Sequence, residues 1–264
     1  MLRVFTLYSG SSGNCTVIDI DGRAILVDAG CGVKKTQKAL IDAGLSLDAV
    51  EGIFITHEHS DHVSGLQTIC KHYRIPVISN KATLDAFFRE NRSFDTSLFC
   101  EMPTGAVAAR DIFEVTSFHS PHDSVECVGY RIKTKYGDVG VLTDAGEGTK
   151  EIKKALSGCK ILVFESNHDK NMLQTGPYPY YLKMRISGPN GHLSNDQSAE
   201  LLAGFIDFGT ESVILAHLSK ENNTPHAALA TAENILTSTG AKVGSDISLY
   251  VAPPDGLSHI FTVG

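Results

Sequence analysis

Short apolar, β-branched runs alternate with segments of helical period through much of the chain. Ala24–Val27, Gly52–Thr56 and Pro76–Ser79 read as strands, and helical patterns follow them at Lys34–Ala43, Val63–Tyr73 and Ala82–Asn91. That rhythm predicts an α/β protein. The middle departs from it. Ile112–Phe118, Val125–Thr134 and Gly137–Leu142 read as consecutive strands with little helix between them, which fits a mixed sheet or a pair of sheets better than a purely parallel one. Alternation resumes with a helix at Lys150–Leu156, a strand at Lys160–Phe164, a helix at Asn195–Phe208, a strand at Ser212–Leu215 and a helix at Pro225–Thr237. Ile25-Leu-Val-Asp-Ala-Gly30 recurs as Val141-Leu-Thr-Asp-Ala-Gly146, a hint of two related halves. No proline-rich, serine-rich or single-charge block divides the chain, so a single domain over 1–264 is expected.

Composition narrows the picture. With 264 residues, 42% of them hydrophobic, the chain can bury a sizeable core. A net charge of −7 argues against coating nucleic acid through bulk positive charge and leaves room for a local anion site. No run approaches the ~18 apolar residues of a membrane span and the start has no leader pattern, so a cytoplasmic location and no membrane partner are expected. Six cysteines lie scattered without a Cys-x-x-Cys pair, which predicts reduced, mostly buried thiols.

The densest chemistry is Thr56-His-Glu-His-Ser-Asp-His62, directly after an apolar strand and before a helical pattern. Neutral imidazole and carboxylate are ligands for divalent transition metals, and their lone pairs would crowd together in a dry site without a cation. His57 and His59, two apart, can aim at one ion from an extended turn; Asp61 and His62, entering the helix, can aim at a second. Other polar residues close apolar strands along the chain: Asp28, His119 and His122, Asp144, His168 and His217. In layered α/β proteins the carboxyl ends of strands are where loops converge on a ligand. Taken alone, Asp28 reads equally as a helix cap or turn residue.

With these residues in view, the chain resembles the metallo-β-lactamase-fold hydrolases, whose His-x-His-x-Asp-His motif matches His57 to His62. Asp28, His122, Asp144 and His217 match that family's other motif positions in chain order. Ser9-Gly-Ser-Ser-Gly-Asn-Cys15, Phe164-Glu-Ser-Asn-His-Asp169 and Gly191-His-Leu-Ser-Asn195 resemble its YycJ/WalJ subgroup, which is associated with DNA exonuclease activity. The resemblance implies a four-layer αββα sandwich of two mixed sheets flanked by helices. It also implies two divalent metal ions, zinc or manganese: His57, His59 and His122 would hold one, Asp61, His62 and His217 the other, and Asp144 would bridge them. Asp28 would orient a ligand imidazole from behind. His122 is preferred to His119 because Asp123 follows it, as in family members.

The activity so implied is a metal-dependent phosphodiesterase, a 5′ to 3′ exonuclease on DNA rather than RNA. Two cations sharing a water lower its pKa toward neutrality, so a hydroxide between them can attack phosphorus while Asp61 orients it. His192 is the candidate for phosphate contact or general acid, and without the resemblance it reads equally as a surface loop histidine. His168 and Asn167, leaving a strand at the site edge, and Asn222, in the loop after His217, are candidate substrate contacts. Tyr178, Tyr180 and Tyr181 beside Lys183 and Arg185 could stack bases and hold phosphates; packing in the core explains the tyrosines as well. The rival activities are a small-molecule hydrolase using the same metals, on a thioester, lactone or cyclic phosphodiester, and a silent metal-binding module. Oligomeric state is not legible.

Overall fold

A computed structural model describes residues 1–264. The first sheet gathers β1 (Leu2–Tyr8), β2 (Cys15–Ile20), β3 (Arg23–Val27), β4 (Val50–Phe54), β5 (Val77–Ser79) and β6 (Phe99–Glu101). The second gathers β7 (Val107–Ala109), β8 (Phe113–His119), β9 (Val128–Thr134), β10 (Val139–Leu142), β11 (Ile161–Glu165), β12 (Ser212–Ala216) and β13 (Ser248–Val251). The last strand, β14 (Phe261–Val263), returns to pair with β1, giving seven strands in each sheet.

The two sheets are built alike. Outward from β3 the pairing β3–β4–β5–β6 is parallel while β2 is antiparallel to β3, and β10–β11–β12–β13 repeats this beside an antiparallel β9. The echo between Ile25–Gly30 and Val141–Gly146 is therefore an echo of place, because β3 and β10 occupy the same position in their sheets.

Helices follow the strands, most of them covering the outer faces. In the first half these are α1 (Val33–Asp42), α2 (Ser60–Val63), α3 (Leu66–Tyr73) and α4 (Lys81–Glu90). In the second they are α5 (Lys150–Leu156), α6 (Lys170–Thr175), α7 (Tyr180–Ile186), α8 (Asn195–Ile206) and α9 (Pro225–Ser238). Three apolar clusters define four layers. One joins the first sheet to α1, α3 and α4, a second fills the gap between the sheets, and a third joins the second sheet to α5, α8 and α9. Near-continuous apolar strands such as Ile161–Phe164 follow from burial on both faces.

The helical pattern expected over Val63–Tyr73 is interrupted. Gly65 passes so close to the loop after β3 that a Cβ there would lie 1.9 Å from the Cys31 carbonyl oxygen, and its amide bonds the Ala29 carbonyl at 2.8 Å. The turn at 64–65 separates α2 from α3 and presses α2, with Asp61 and His62, against Ala29 and Gly30. The helices of the second half include well-capped ones. Ser194 and Gln197 form a capping box on α8, and Thr224 caps α9 with Pro225 at its first position. All six cysteines are free and all but Cys100 are buried. Burial pushes the Cys70 and Cys159 thiols up to about 12, which makes them inert. No helix is long and apolar enough to cross a membrane.

Candidate metal centre

The candidate site residues stand at the carboxyl ends of β3, β4, β10 and β12 and in the loop after β8, and three of them hold unusual backbone. Asp28, Asp144 and His217 have φ of 65°, 58° and 57°, a left-handed conformation that side chains other than glycine seldom adopt. These sharp turns fall one residue past β3 and β12 and two past β10, and such strain is characteristic of functional sites.

His57, His59 and His122 form one group and Asp61, His62 and His217 another. In each, one donor atom per residue lies within 4.8 Å of the others. His57, His62 and Asp144 form a third such group, so Asp144 stands between the first two. Asp144 Oδ2 is 3.1 Å from His62 Nε2 and Oδ1 is 3.6 Å from His122 Nε2.

The imidazoles are held from behind. Nδ1 of His62 lies 2.7 Å from Asp28 Oδ2, Nδ1 of His57 3.0 Å from Thr56 Oγ1, Nδ1 of His122 3.0 Å from the Gly191 carbonyl, and Nδ1 of His217 3.0 Å from Glu165 Oε1. Asp28 in turn accepts from the Thr56 amide at 2.9 Å and from its hydroxyl at 3.0 Å. Each anchor spends the Nδ1 proton outward and leaves Nε2 facing the centre, the pattern that metal-binding histidines show.

Three of the inward atoms lack a hydrogen-bond partner. His57 Nε2, His217 Nε2 and Asp144 Oδ2 are buried and receive no hydrogen bond. A buried polar atom left so costs about 1–3 kcal/mol, and several converging on one point would repel one another. A cation removes both penalties, so the donor set fits divalent metal. Protons compete for the same lone pairs. Burial would raise the Asp144 carboxyl, but the imidazoles of His217, His62 and His57 hold it well below the usual range. Burial would lower His217, but Asp144, Asp61 and Glu165 push it up to about 10. Burial and the neighbouring His62 keep His57 well below the ordinary histidine value, so its lone pair is free at neutral pH.

A cavity of about 300 Å³ opens over the centre, walled by His59, Asp61, His122, Asp144, His192 and His217 together with Ser11, Asn167 and side chains of α7. His192 lines it with Nδ1 fixed 2.8 Å from Glu165 Oε1. Burial pulls this imidazole down, and Glu165 overrides that to raise its pKa above the ordinary value. Asn167 also lines the cavity, and its Nδ2 donates to the His217 carbonyl at 2.9 Å. Two expected substrate contacts stand elsewhere. His168 and Asn222 are fully buried and absent from the cavity wall, because the His168 backbone bridges to Ser194 and the Asn222 carbonyl accepts from the Asp169 amide at 2.8 Å. They brace the loops beneath the site. His119 is exposed and outside every donor group.

Two positioning residues, Glu165 and Asn14, had no individual role assigned from sequence. Glu165, at the end of β11, is fully buried and accepts from the Ala145 and Leu193 amides on one oxygen and from His192 and His217 on the other. Its place, an acid closing an all-apolar strand, is the signal that singled out Asp28 and Asp144. Asn14 Nδ2 lies 3.2 Å from Asp61 Oδ2 while its amide is held by Gly10, and Ser9 Oγ accepts from the His217 amide at 2.7 Å.

Strand order, layers and donor set together describe a metal-binding αββα sandwich, and the chain belongs to the metallo-beta-lactamase superfamily, whose model matches residues 8–156. The chain is 34% identical to exodeoxyribonuclease YycJ of Bacillus anthracis over 253 residues, covering 96% of each protein. It is 32% identical to exodeoxyribonuclease WalJ of Streptococcus pneumoniae, covering 94% of this chain and 93% of that one. Among solved structures, the metallo-beta-lactamase fold protein YhfI from Bacillus subtilis superimposes with a TM-score of 0.71 over 100% of this chain and 99% of its own, at 14% identity.

Proposed function

We propose that the protein is a metal-dependent exonuclease that removes nucleotides from DNA in the 5′ to 3′ direction, in the cytoplasm and with two divalent cations, zinc or manganese. The observation that carries this reading is the end-to-end likeness to exodeoxyribonucleases, which leaves neither half of the donor set outside the alignment. His57, His59 and His122 would hold one cation, Asp61, His62 and His217 the other, and Asp144 would contact both. When bound, the cations supply Lewis acidity toward phosphoryl oxygens and acidify water.

The protein's own groups do the rest. Asp28, Thr56 and Glu165 keep the imidazoles oriented. Asp61, on the cavity wall and braced by Asn14, orients the attacking water through its carboxylate. Glu165 holds the Nδ1 of His192 and raises its pKa above the ordinary value, which favours the protonated form, and its other nitrogen would donate the proton that the departing 3′ oxygen needs. Asn167 and Ser11 offer polar contacts to substrate at the cavity wall.

Incubating metal-loaded protein with end-labelled duplex DNA, with RNA and with bis(4-nitrophenyl) phosphate tests the assignment. DNA shortened from its 5′ end supports it. Turnover of the nitrophenyl ester alone would leave a small-molecule phosphodiesterase, and turnover of none would leave a metal-binding module. Elemental analysis of protein purified without chelator gives the number and kind of ions.

A further inference from the structure

In the first half β4 passes to α2 through residues 55–59, whereas the equivalent passage from β11 to α8 runs through residues 166–194. The extra length carries α6 and α7, and Tyr178, Leu182, Arg185 and Ile186 from it form one wall of the catalytic cavity. Its base is locked. The His192 amide donates to the Ile186 carbonyl at 2.9 Å, and a Cβ on Gly191 would lie 2.2 Å from that same oxygen. Arg185 Nε bonds Asp123, the neighbour of His122.

The outer face is unpacked. No residue of α7 is buried, and Tyr180 and Tyr181 are 76% and 74% exposed beside Met184 at 52%. Bare rings on a helix whose neighbours line the active cavity form an apolar surface at the point of substrate entry. Charge is also biased there. Residues 170–195 contain Lys170, Lys183 and Arg185 and no Asp or Glu, in a chain of net charge −7. Tyr181 and Arg185 stand one helical turn apart, so a ring and a cation share the face that leads into the cavity.

We infer that α7 is the strand-entry platform of the nuclease. Unpaired bases of a single DNA strand stack on the rings of Tyr180 and Tyr181 just outside the cavity, while Arg185 meets the backbone phosphate passing inward. Unpaired bases are required because only they offer free faces to a ring, and stacking of this kind tolerates any sequence. The inference rests on the exonuclease reading above.

The test compares kcat and KM on a twelve-nucleotide single strand and on a dinucleotide for the wild type, Tyr180→Ala/Tyr181→Ala and Tyr180→Phe/Tyr181→Phe. Both rings are exposed, so neither pair of substitutions opens a cavity in the core. For the alanine pair, KM on the long strand is expected to rise roughly tenfold or more, with the dinucleotide KM scarcely moved and the effect confined to KM. The phenylalanine pair, which keeps both rings, is expected to keep the wild-type preference. An alanine pair with unchanged KM on the long strand, or a phenylalanine pair as impaired as the alanine pair, overturns the platform while leaving the nuclease reading intact. A wild type that hydrolyses bis(4-nitrophenyl) phosphate but no DNA overturns both.

Discussion

An imidazole presents a lone pair inward only when its other nitrogen is committed, and this centre commits four Nδ1 atoms to four different oxygens. Glu165 carries the heaviest share, with two backbone amides on one oxygen and two imidazoles on the other. A glutamine there cannot serve both ends. Its NH₂ would face either two amide N–H groups or two imidazole N–H groups, donor against donor. Glu165→Gln is therefore expected to loosen His217 and His192 together. Removing such a supporting group costs about 10–100-fold in metal affinity or activity. Metal content after dialysis and kcat/KM measure the two losses, and full values of both would contradict the role assigned to Glu165. Four candidate donors stood out in the sequence because His-x-His-x-Asp-His concentrates them in one loop, whereas His122, Asp144 and His217 were singled out by their places after strands and by the family resemblance. Glu165 was not, since a lone acid after an apolar strand is also an ordinary turn residue. His168 was misplaced at the cavity for a related reason: leaving a strand at the right edge does not say which way a side chain turns. Burial holds its pKa down at about 4, as expected of an imidazole that braces loops in neutral form.

At the scale of elements, the strand-helix rhythm was legible in β3, β4, β11 and α1, whereas β1 and β2, equally buried but with no helix between them, were not picked out. Nor was the break between α2 and α3. It arises from a contact of Gly65 with the Cys31 carbonyl, residues far apart in the chain. Likewise α6 and α7 lack a buried stripe, so no apolar period announces them. The repeated Asp-Ala-Gly has a physical reading at this scale. Asp supplies the left-handed turn, Ala is fully buried, and Gly permits close approach: a Cβ on Gly30 would lie 1.8 Å from the Asp61 carbonyl, and one on Gly146 would lie 2.2 Å from the Pro189 carbonyl. In both positions the obstacle is backbone, which cannot swing aside. Gly30→Ala is expected to lower stability by about 1–3 kcal/mol and to reduce metal occupancy, because α2 must shift with Asp61 and His62. Gly204→Ala, inside α8 with nothing within 4 Å of the new methyl, is expected to raise stability by roughly 0.5–1 kcal/mol. Urea unfolding of the two variants gives opposite signs if the close approach at Gly30 is what matters; equal signs would refute that account.

Over the whole molecule, two sheets of like design pack face to face with the centre at the carboxyl ends of their strands, and each half supplies part of the donor set. His57, His59, Asp61 and His62 come from the first half; His122, Asp144 and His217 come from the second. Sheet order itself was beyond the sequence, since it depends on non-local pairing such as β14 with β1, which no local pattern reports. The consequence of sharing donors is that bound cations tie the halves together in the folded state alone. A ligand at 100 times its dissociation constant stabilises by about 2.7 kcal/mol, and each kcal/mol moves Tm by roughly 2–4 °C in a chain of this size. Chelator is therefore expected to lower Tm by about 5–10 °C, and added zinc or manganese to restore it. Acid should act in the same direction, because imidazoles that bind protons release metal. His217 in the metal-free protein keeps its proton up to about pH 10, so the stabilisation is expected to grow toward that pH and to fade as pH falls below it. Calorimetry on metal-loaded and chelated protein across that range checks both effects. Equal Tm values with and without chelator at pH 8 would mean that the converging nitrogens and carboxylates hold no cation between the halves.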